Sequence, residues 1–206
     1  MEATLTGVIP LNHTNCEFIS MSLSRLVAVG LKYSVYVYDA SIGENIARIN
    51  HYPHIATSAA WHPKTQILVT ADSDGSIILS YLLTMTWEKF SIAASPIKYL
   101  NFHMCGNYIF ALSQSHLKIF DLSQKLFFKD FEIIGFKILT DFFCPQKIIV
   151  LSEKNVKVVR WGEKQRNVSE GKVENVVDAV VHPSVINTIF LLSRFELAEY
   201  NTVIFT

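Results

Sequence analysis

Two kinds of apolar segment recur along this chain at a regular distance of about 41 residues. The first kind is rich in Val, Ile, Leu and aromatic residues and occupies residues 35–39, 77–81, 117–121, 156–160 and 197–201. The second kind lies about nine residues ahead of each, at residues 26–30, 68–72, 109–113, 148–152 and 189–193. Apolar runs of this length, rich in β-branched residues, predict buried strands rather than helices.

Each pair of segments is predicted to form a β-hairpin. The turn is clearest at Asp74-Gly75, because glycine accepts the positive φ of a tight turn. A further strand is predicted ahead of each hairpin, at residues 17–22, 57–61, 97–102, 136–143 and 176–181. A more polar strand follows, for example at residues 45–49, 87–92 and 125–131. The repeating unit is therefore four strands in about 40 residues.

This repeat predicts an all-β fold, namely a β-propeller of about five four-stranded blades. The predicted blades span roughly residues 16–50, 55–92, 96–131, 136–170 and 176–206 of a single domain, 1–206. An elongated stack of hairpins is the competing architecture. The propeller is favoured because sheets that are covered on both faces account for the near-continuous apolar runs.

The second unit resembles the repeats of the WD-repeat family. His51 stands where that family has the histidine of a Gly-His pair, and Trp61 ends the first strand just before a His-Pro corner. Asp74 stands at the family's turn aspartate and is followed by Gly75. These four residues are the structural repeat positions that the resemblance implies for this unit.

Other units keep the family's aromatic-Asp ending, as Tyr38-Asp39 and Phe120-Asp121, whereas Ser80-Tyr81 replaces Trp-Asp in the second unit. The resemblance covers about residues 16–206. The hydrogen-bonded set of His, Ser or Thr, Asp and Trp that regular repeats contain is complete in no unit. The resemblance implies a rigid protein-binding propeller that is a subunit of a larger intracellular complex.

Five units are fewer than most propellers of this family contain. Three interpretations stay open: a piece of a longer propeller, an open propeller completed by a partner, and a closed five-bladed ring. Residues 4–11 and 202–206 are alternative sources of a strand that would complete the last blade.

Composition narrows the classes of function. Half of the residues are hydrophobic, 17% are charged and the formal net charge is zero, so nucleic acid is not an expected partner. Residues 147–172 form the most basic stretch. Three widely spaced cysteines predict neither a disulfide framework nor a zinc site. No signal peptide or membrane span is expected, and the predicted location is intracellular, in the cytoplasm, the nucleus or both.

No catalytic motif is present in the sequence. The Ser-elbow, P-loop, dinucleotide and zinc-protease patterns are all missing, so no cofactor, metal or enzymatic activity is expected. A propeller hydrolase is the less favoured alternative. It would need carboxylates on the first strands, where Asp141 and Asp178 are the candidates.

Aromatic residues are the candidate partner-binding positions. Phe127, Phe128, Phe142 and Phe143 form two adjacent pairs, and side chains alternate between the two faces of a strand. One member of each pair is therefore expected to face outward, toward another protein of a multi-subunit complex. The alternative hypothesis is binding of phosphoinositide or RNA through the basic residues around 154–166.

Overall fold

The computed structural model describes residues 15–140, 146–161, 167–173, 175–181, 188–194 and 197–201. The regular structure in those ranges consists of β-strands, which confirms the predicted all-β class. The strands form five antiparallel sheets. In every sheet the spatial order of the strands follows their order in the chain.

The first sheet contains β1 (Phe18–Met21), β2 (Leu26–Leu31), β3 (Ser34–Asp39) and β4 (Glu44–Asn50). The second contains β5 (Ala56–Trp61), β6 (Ile67–Asp72), β7 (Ser76–Tyr81) and β8 (Thr86–Ser91). The third contains β9 (Tyr99–Phe102), β10 (Tyr108–Leu112), β11 (His116–Asp121) and β12 (Leu126–Glu132). The fourth contains β13 (Lys137–Thr140), β14 (Lys147–Leu151), β15 (Asn155–Arg160) and β16 (Asn167–Lys172). The fifth contains β17 (Val176–Val181), β18 (Thr188–Ser193) and β19 (Leu197–Asn201).

The chain divides into two compact parts, which are named here unit 1 (residues 1–97) and unit 2 (residues 98–206). Each of these two units contains more than one of the four-stranded repeats. Unit 1 holds the first two sheets, which share one buried apolar cluster, and β1 and β2 both contact β5. The cluster contains Leu26, Ala28, Val35, Val37, Ile49, Ala56, Leu68 and Ile78. The single domain predicted over residues 1–206 stays a prediction.

Unit 2 holds the other three sheets, and its fourth sheet is covered on both faces. Ile148 and Val150 of β14 join the cluster shared with the third sheet, while Ile149 and Leu151 join the cluster shared with the fifth. Successive side chains of a strand point to opposite faces, so both faces of β14 are apolar and all five of its residues are buried. Burying each such side chain contributes about 1.5–3 kcal/mol.

The observed strands match the predicted hairpins closely and differ at the margins. The fifth sheet has three strands among the described residues, where four were predicted. The first strand of the third sheet begins at Tyr99 rather than at Ile97, although the Ile97 amide donates to the Asp72 carbonyl at 3.4 Å. Residues 4–11 and 202–206, named as closing strands, lie outside the described residues.

Candidate functional site

A buried histidine lies where the first sheet of unit 1 passes to the second. His51 follows β4, its amide donates to the Tyr33 carbonyl at 2.7 Å, and its side chain is fully buried. The ring Nδ1 lies 3.3 Å from Asp72 Oδ2, and Nε2 lies 2.8 Å from Thr70 Oγ1. His51, Thr70 and Asp72 are named here the histidine network.

The partners of the ring define its proton positions. A carboxylate only accepts hydrogen bonds, so Nδ1 donates to Asp72 and Nε2 accepts from the Thr70 hydroxyl. Burial lowers the pKa of His51 below 6.5, and the opposing hydrogen bond and charge of Asp72 do not restore it. His51 is therefore neutral around pH 7 and acts as one donor and one acceptor.

Asp72 also holds the turn between β6 and β7. Its Oδ1 accepts from the amides of Ser76 at 2.9 Å and Asp74 at 3.1 Å, and its Oδ2 lies 3.7 Å from Lys89 Nζ. Asp72 ends the predicted strand segment 68–72, and the sequence pattern assigned no partner to its side chain. The alternation of strand residues supplies the missed signal, because Thr70 and Asp72 are two apart and face the same side.

The structure places Asp74 differently from its neighbour Asp72. The Asp74 side chain is 56% exposed and lies 3.7 Å from the His54 ring, whereas His51 bonds to Asp72. His51 thus bonds to Asp72, two residues before Asp74, the residue that stands at the family's turn aspartate. Ser80, which stands where the family has Trp, has a buried hydroxyl with no hydrogen-bond partner in the described structure.

Gly75 and Trp61 stabilise the same sheet. Gly75 has φ +81°, and a Cβ at that position would lie 2.2 Å from the Ala93 carbonyl oxygen, so a larger residue cannot be placed there without moving the backbone. The Trp61 indole donates to the Ser20 carbonyl at 3.1 Å and thereby links the second sheet to β1.

An exposed apolar edge lies beside the histidine network. The outer hairpin, defined as β7, β8 and residues 82–85 between them, exposes Leu83, Met85 and Trp87, and Trp87 is 72% exposed. Trp87 and Lys89 line a groove of about 260 Å³ together with Arg48, Ile49, Asn50 and Ile78. Lys89 reaches from this groove to Asp72, so the outer hairpin is attached to the buried network.

The two aromatic-Asp endings cap turns. Asp39 Oδ1 accepts from the Ser41 amide at 2.8 Å, and Asp121 Oδ1 accepts from the amides of Ser123 and Gln124 at 2.8 and 3.0 Å. Hydrogen bonds from the Ser41 and Ser123 side chains lower the pKa of Asp39 and Asp121 respectively. Both carboxylates stay ionised and keep the turns in place.

The predicted aromatic surface is described only in part. Phe127 is 37% exposed; its ring centroid lies 5.4 Å from that of Phe120 and 5.7 Å from Lys118 Nζ. Phe128 belongs to β12, but its side chain is not described. Phe142 and Phe143 lie outside the described residues.

The main carboxylate candidates for a hydrolase, Asp141 and Asp178, are described only in part. Asp178 on β17 bonds to Lys137 on β13. Burial opposes its ionisation, but the hydrogen bonds from Lys137 and from the Ala179 amide, together with the charge of Lys137, lower its pKa. Asp141 lies outside the described residues. In the described ranges no three His, Cys, Asp or Glu side chains are grouped to hold a metal ion. The described ranges contain no helix that is long and apolar enough to cross a membrane.

The comparisons with known proteins point to a shared segment. No protein-family model matches the chain. The chain is similar to a curated protein described as "LEC14B homolog" from Prunus armeniaca, with 35% identity over 63 residues. The matched segment covers 27% of this chain and 13% of the length of that protein.

Proposed function

We propose that this chain is a β-propeller of the WD-repeat type, or part of one, and acts as a protein-interaction scaffold in a larger intracellular complex. The period of about 41 residues and the five antiparallel sheets support the propeller. The face-to-face packing of successive sheets inside each unit supports it as well. The free thiols of Cys16 and Cys105 support an intracellular location.

The outer hairpin is the observation on which the scaffold function depends. Leu83, Met85 and Trp87 are exposed large hydrophobics on one two-stranded edge. Exposed apolar clusters mark contact sites with other proteins, and Trp is the residue most often found to dominate binding energy there. At the centre of the sheet, the first five residues of β7 are all buried. The edge is therefore presented by a rigid support.

The scaffold is proposed to be non-catalytic. Asp178 is engaged by Lys137, and the carboxylates of Asp39, Asp72 and Asp121 are engaged by turn amides. These contacts support a structural role for the named carboxylates. A hydrolase screen that gave turnover lost on Asp178→Asn would contradict this part of the proposal.

The experiment is affinity purification of the tagged chain from cells followed by quantitative mass spectrometry. Trp87→Ala is expected to deplete a defined set of companion proteins at least tenfold. The reason is that a Trp side chain that a partner covers at the centre of an interface contributes about 2 kcal/mol or more to binding. Leu197→Ala, at a residue that is 70% exposed on β19 of unit 2, is the matched control and is expected to keep the set. Equal recoveries for wild type and Trp87→Ala would refute the assignment of this edge.

A further inference from the structure

A second concave site lies in unit 2, and none of its lining residues was singled out by the sequence as a repeat position. It has a volume of about 410 Å³. Its wall contains three lysines, Lys98, Lys154 and Lys157, and its apolar side contains Ile134 and Phe136. We name it the lysine pocket.

The wall of the lysine pocket is fixed by backbone contacts. In the turn between β14 and β15, the Ser152 amide donates to the Asn155 carbonyl at 2.9 Å, and the Asn155 amide donates to Ser152 Oγ at 3.0 Å. The Phe136 amide donates to the Leu151 carbonyl at 2.8 Å. At Gly135 an added Cβ would lie 2.4 Å from Val150 Cγ1, so glycine permits this close approach. The pocket is thus formed before any ligand binds.

The charge of the pocket is positive. Three lysines face one carboxylate, that of Glu153. Among the described residues, none of the three ammonium groups is in an ion pair, whereas Lys89, Lys118 and Lys137 elsewhere in the chain each have a carboxylate partner. Unneutralised charges grouped around a concavity attract ligands of the opposite sign.

The pocket also has an apolar side, which selects among anionic ligands. Ile134 is 66% exposed, although the residue before it, Ile133, is buried in the core cluster of the third and fourth sheets. A purely polar anion would leave Ile134 in water. A ligand with both carboxylates and an apolar side chain would cover Ile134 and neutralise the lysines.

We propose that the lysine pocket binds an acidic peptide segment of a partner protein, with Glu or Asp side chains at Lys98, Lys154 and Lys157 and an aliphatic or aromatic side chain against Ile134. This assignment rests on the proposed scaffold function, for which it specifies the chemistry of one partner. Lysine is a compact charge on a flexible stem, so it can pair with a carboxylate at variable angles.

The test measures peptide binding by fluorescence anisotropy with the full chain. The probes are fluorescein-labelled nine-residue peptides in which Glu residues flank one central Leu, Phe or Trp; matched peptides have Ser at the centre or Lys in place of Glu. Binding is expected for the acidic-apolar peptides and is expected to weaken with salt, because exposed charges are screened over about 10 Å at 0.1 M.

Two variants separate the contributions of charge and apolar contact. Lys154→Glu with Lys157→Glu is expected to weaken binding about tenfold or more, since reversing both charges removes two attractive pairs and adds repulsion. Ile134→Ser is expected to remove the preference for an apolar centre. Lys32→Glu with Lys64→Glu, at two exposed lysines in unit 1, is the charge-matched control and is expected to bind as wild type. Circular dichroism melting verifies that every variant is folded.

Further ligands are measured in parallel. Anionic vesicles containing phosphoinositide and a single-stranded RNA are the other candidates for a basic site. Binding of either one that depends on Lys154 and Lys157, without peptide binding, would overturn the proposal, and so would the absence of binding by every probe. The scaffold function is tested separately: companions lost on Trp87→Ala would still support it if the lysine pocket bound no peptide.

Discussion

Replacing Asp72 by alanine is the most direct test of the histidine network. The substitution removes the acceptor for His51 Nδ1–H and for the Ser76 amide, both of which are buried. Each buried donor left without a partner costs about 1–3 kcal/mol. The expected loss in the free energy of unfolding of unit 1 is therefore about 4 kcal/mol, which is a large part of the 5–15 kcal/mol typical of a domain.

Asp74→Ala is the matched control, because Asp74 is the neighbouring carboxylate of the same turn and is mostly exposed. Its expected cost is within about 0.5 kcal/mol. Asp72→Asn keeps one acceptor oxygen and is expected to lie between the two alanine variants. The contrast tests whether the network uses Asp72 rather than the neighbouring turn carboxylate Asp74.

The assay is hydrogen exchange with mass spectrometry, because it reports on peptides of unit 1 without assuming that the whole chain unfolds in one step. A loss of about 4 kcal/mol corresponds to exchange about a thousandfold faster in β6 and β7. Urea unfolding followed by circular dichroism gives the free energy independently. The reasoning is wrong if Asp72→Ala costs less than about 1 kcal/mol, or if Asp74→Ala costs as much.

Substitutions at three closely packed positions give further tests. The pKa of His51 is below its usual 6.5 in the folded chain, so the unfolded chain binds the proton more readily. The free energy of unfolding of unit 1 should therefore fall as pH falls below 6.5. His51→Asn should reduce this dependence on pH, measured by urea unfolding at several pH values between about 7.5 and 5.5. Gly135→Ala should destabilise unit 2 by about 1–3 kcal/mol through overpacking against Val150, seen as faster exchange in β13 and β14; unchanged exchange would contradict the close approach. Ile119→Ala should cost about 2–5 kcal/mol and Ile119→Val about 0.5–1.5 kcal/mol in urea unfolding, since Ile119 is fully buried; equal costs would contradict its packing.

The strands were predictable because their burial leaves a simple trace in the sequence. Residues 148–151 form an uninterrupted apolar run, and the structure explains the run by the burial of β14 between two sheets. The turn at Gly75 was equally visible, because a positive φ beside a packed carbonyl leaves room only for glycine. Comparable apolar segments recur at residues 26–30, 68–72, 109–113 and 189–193.

The chemistry of the site was less predictable because it depends on pairing between distant residues. Asp72 and Asp74 are both turn carboxylates, and only the position of His51, 21 residues earlier, determines which of them is buried. The exposure of Trp87 could not be predicted from the sequence for a similar reason. Its strand, β8, has the same alternating pattern whether or not another protein segment covers the edge of the sheet. The lysine pocket joins residues from three separate segments of the chain.

The order of strands has a consequence for biosynthesis. Among the described strands of the five sheets, neighbours in space are neighbours in the chain, so none of these pairings waits for a distant segment. Closing such short loops costs little chain entropy, and folding rates rise as contacts become more local. When residue 97 has left the ribosome, every strand of unit 1 is already present, and its apolar cluster can close while the later sheets are still being translated.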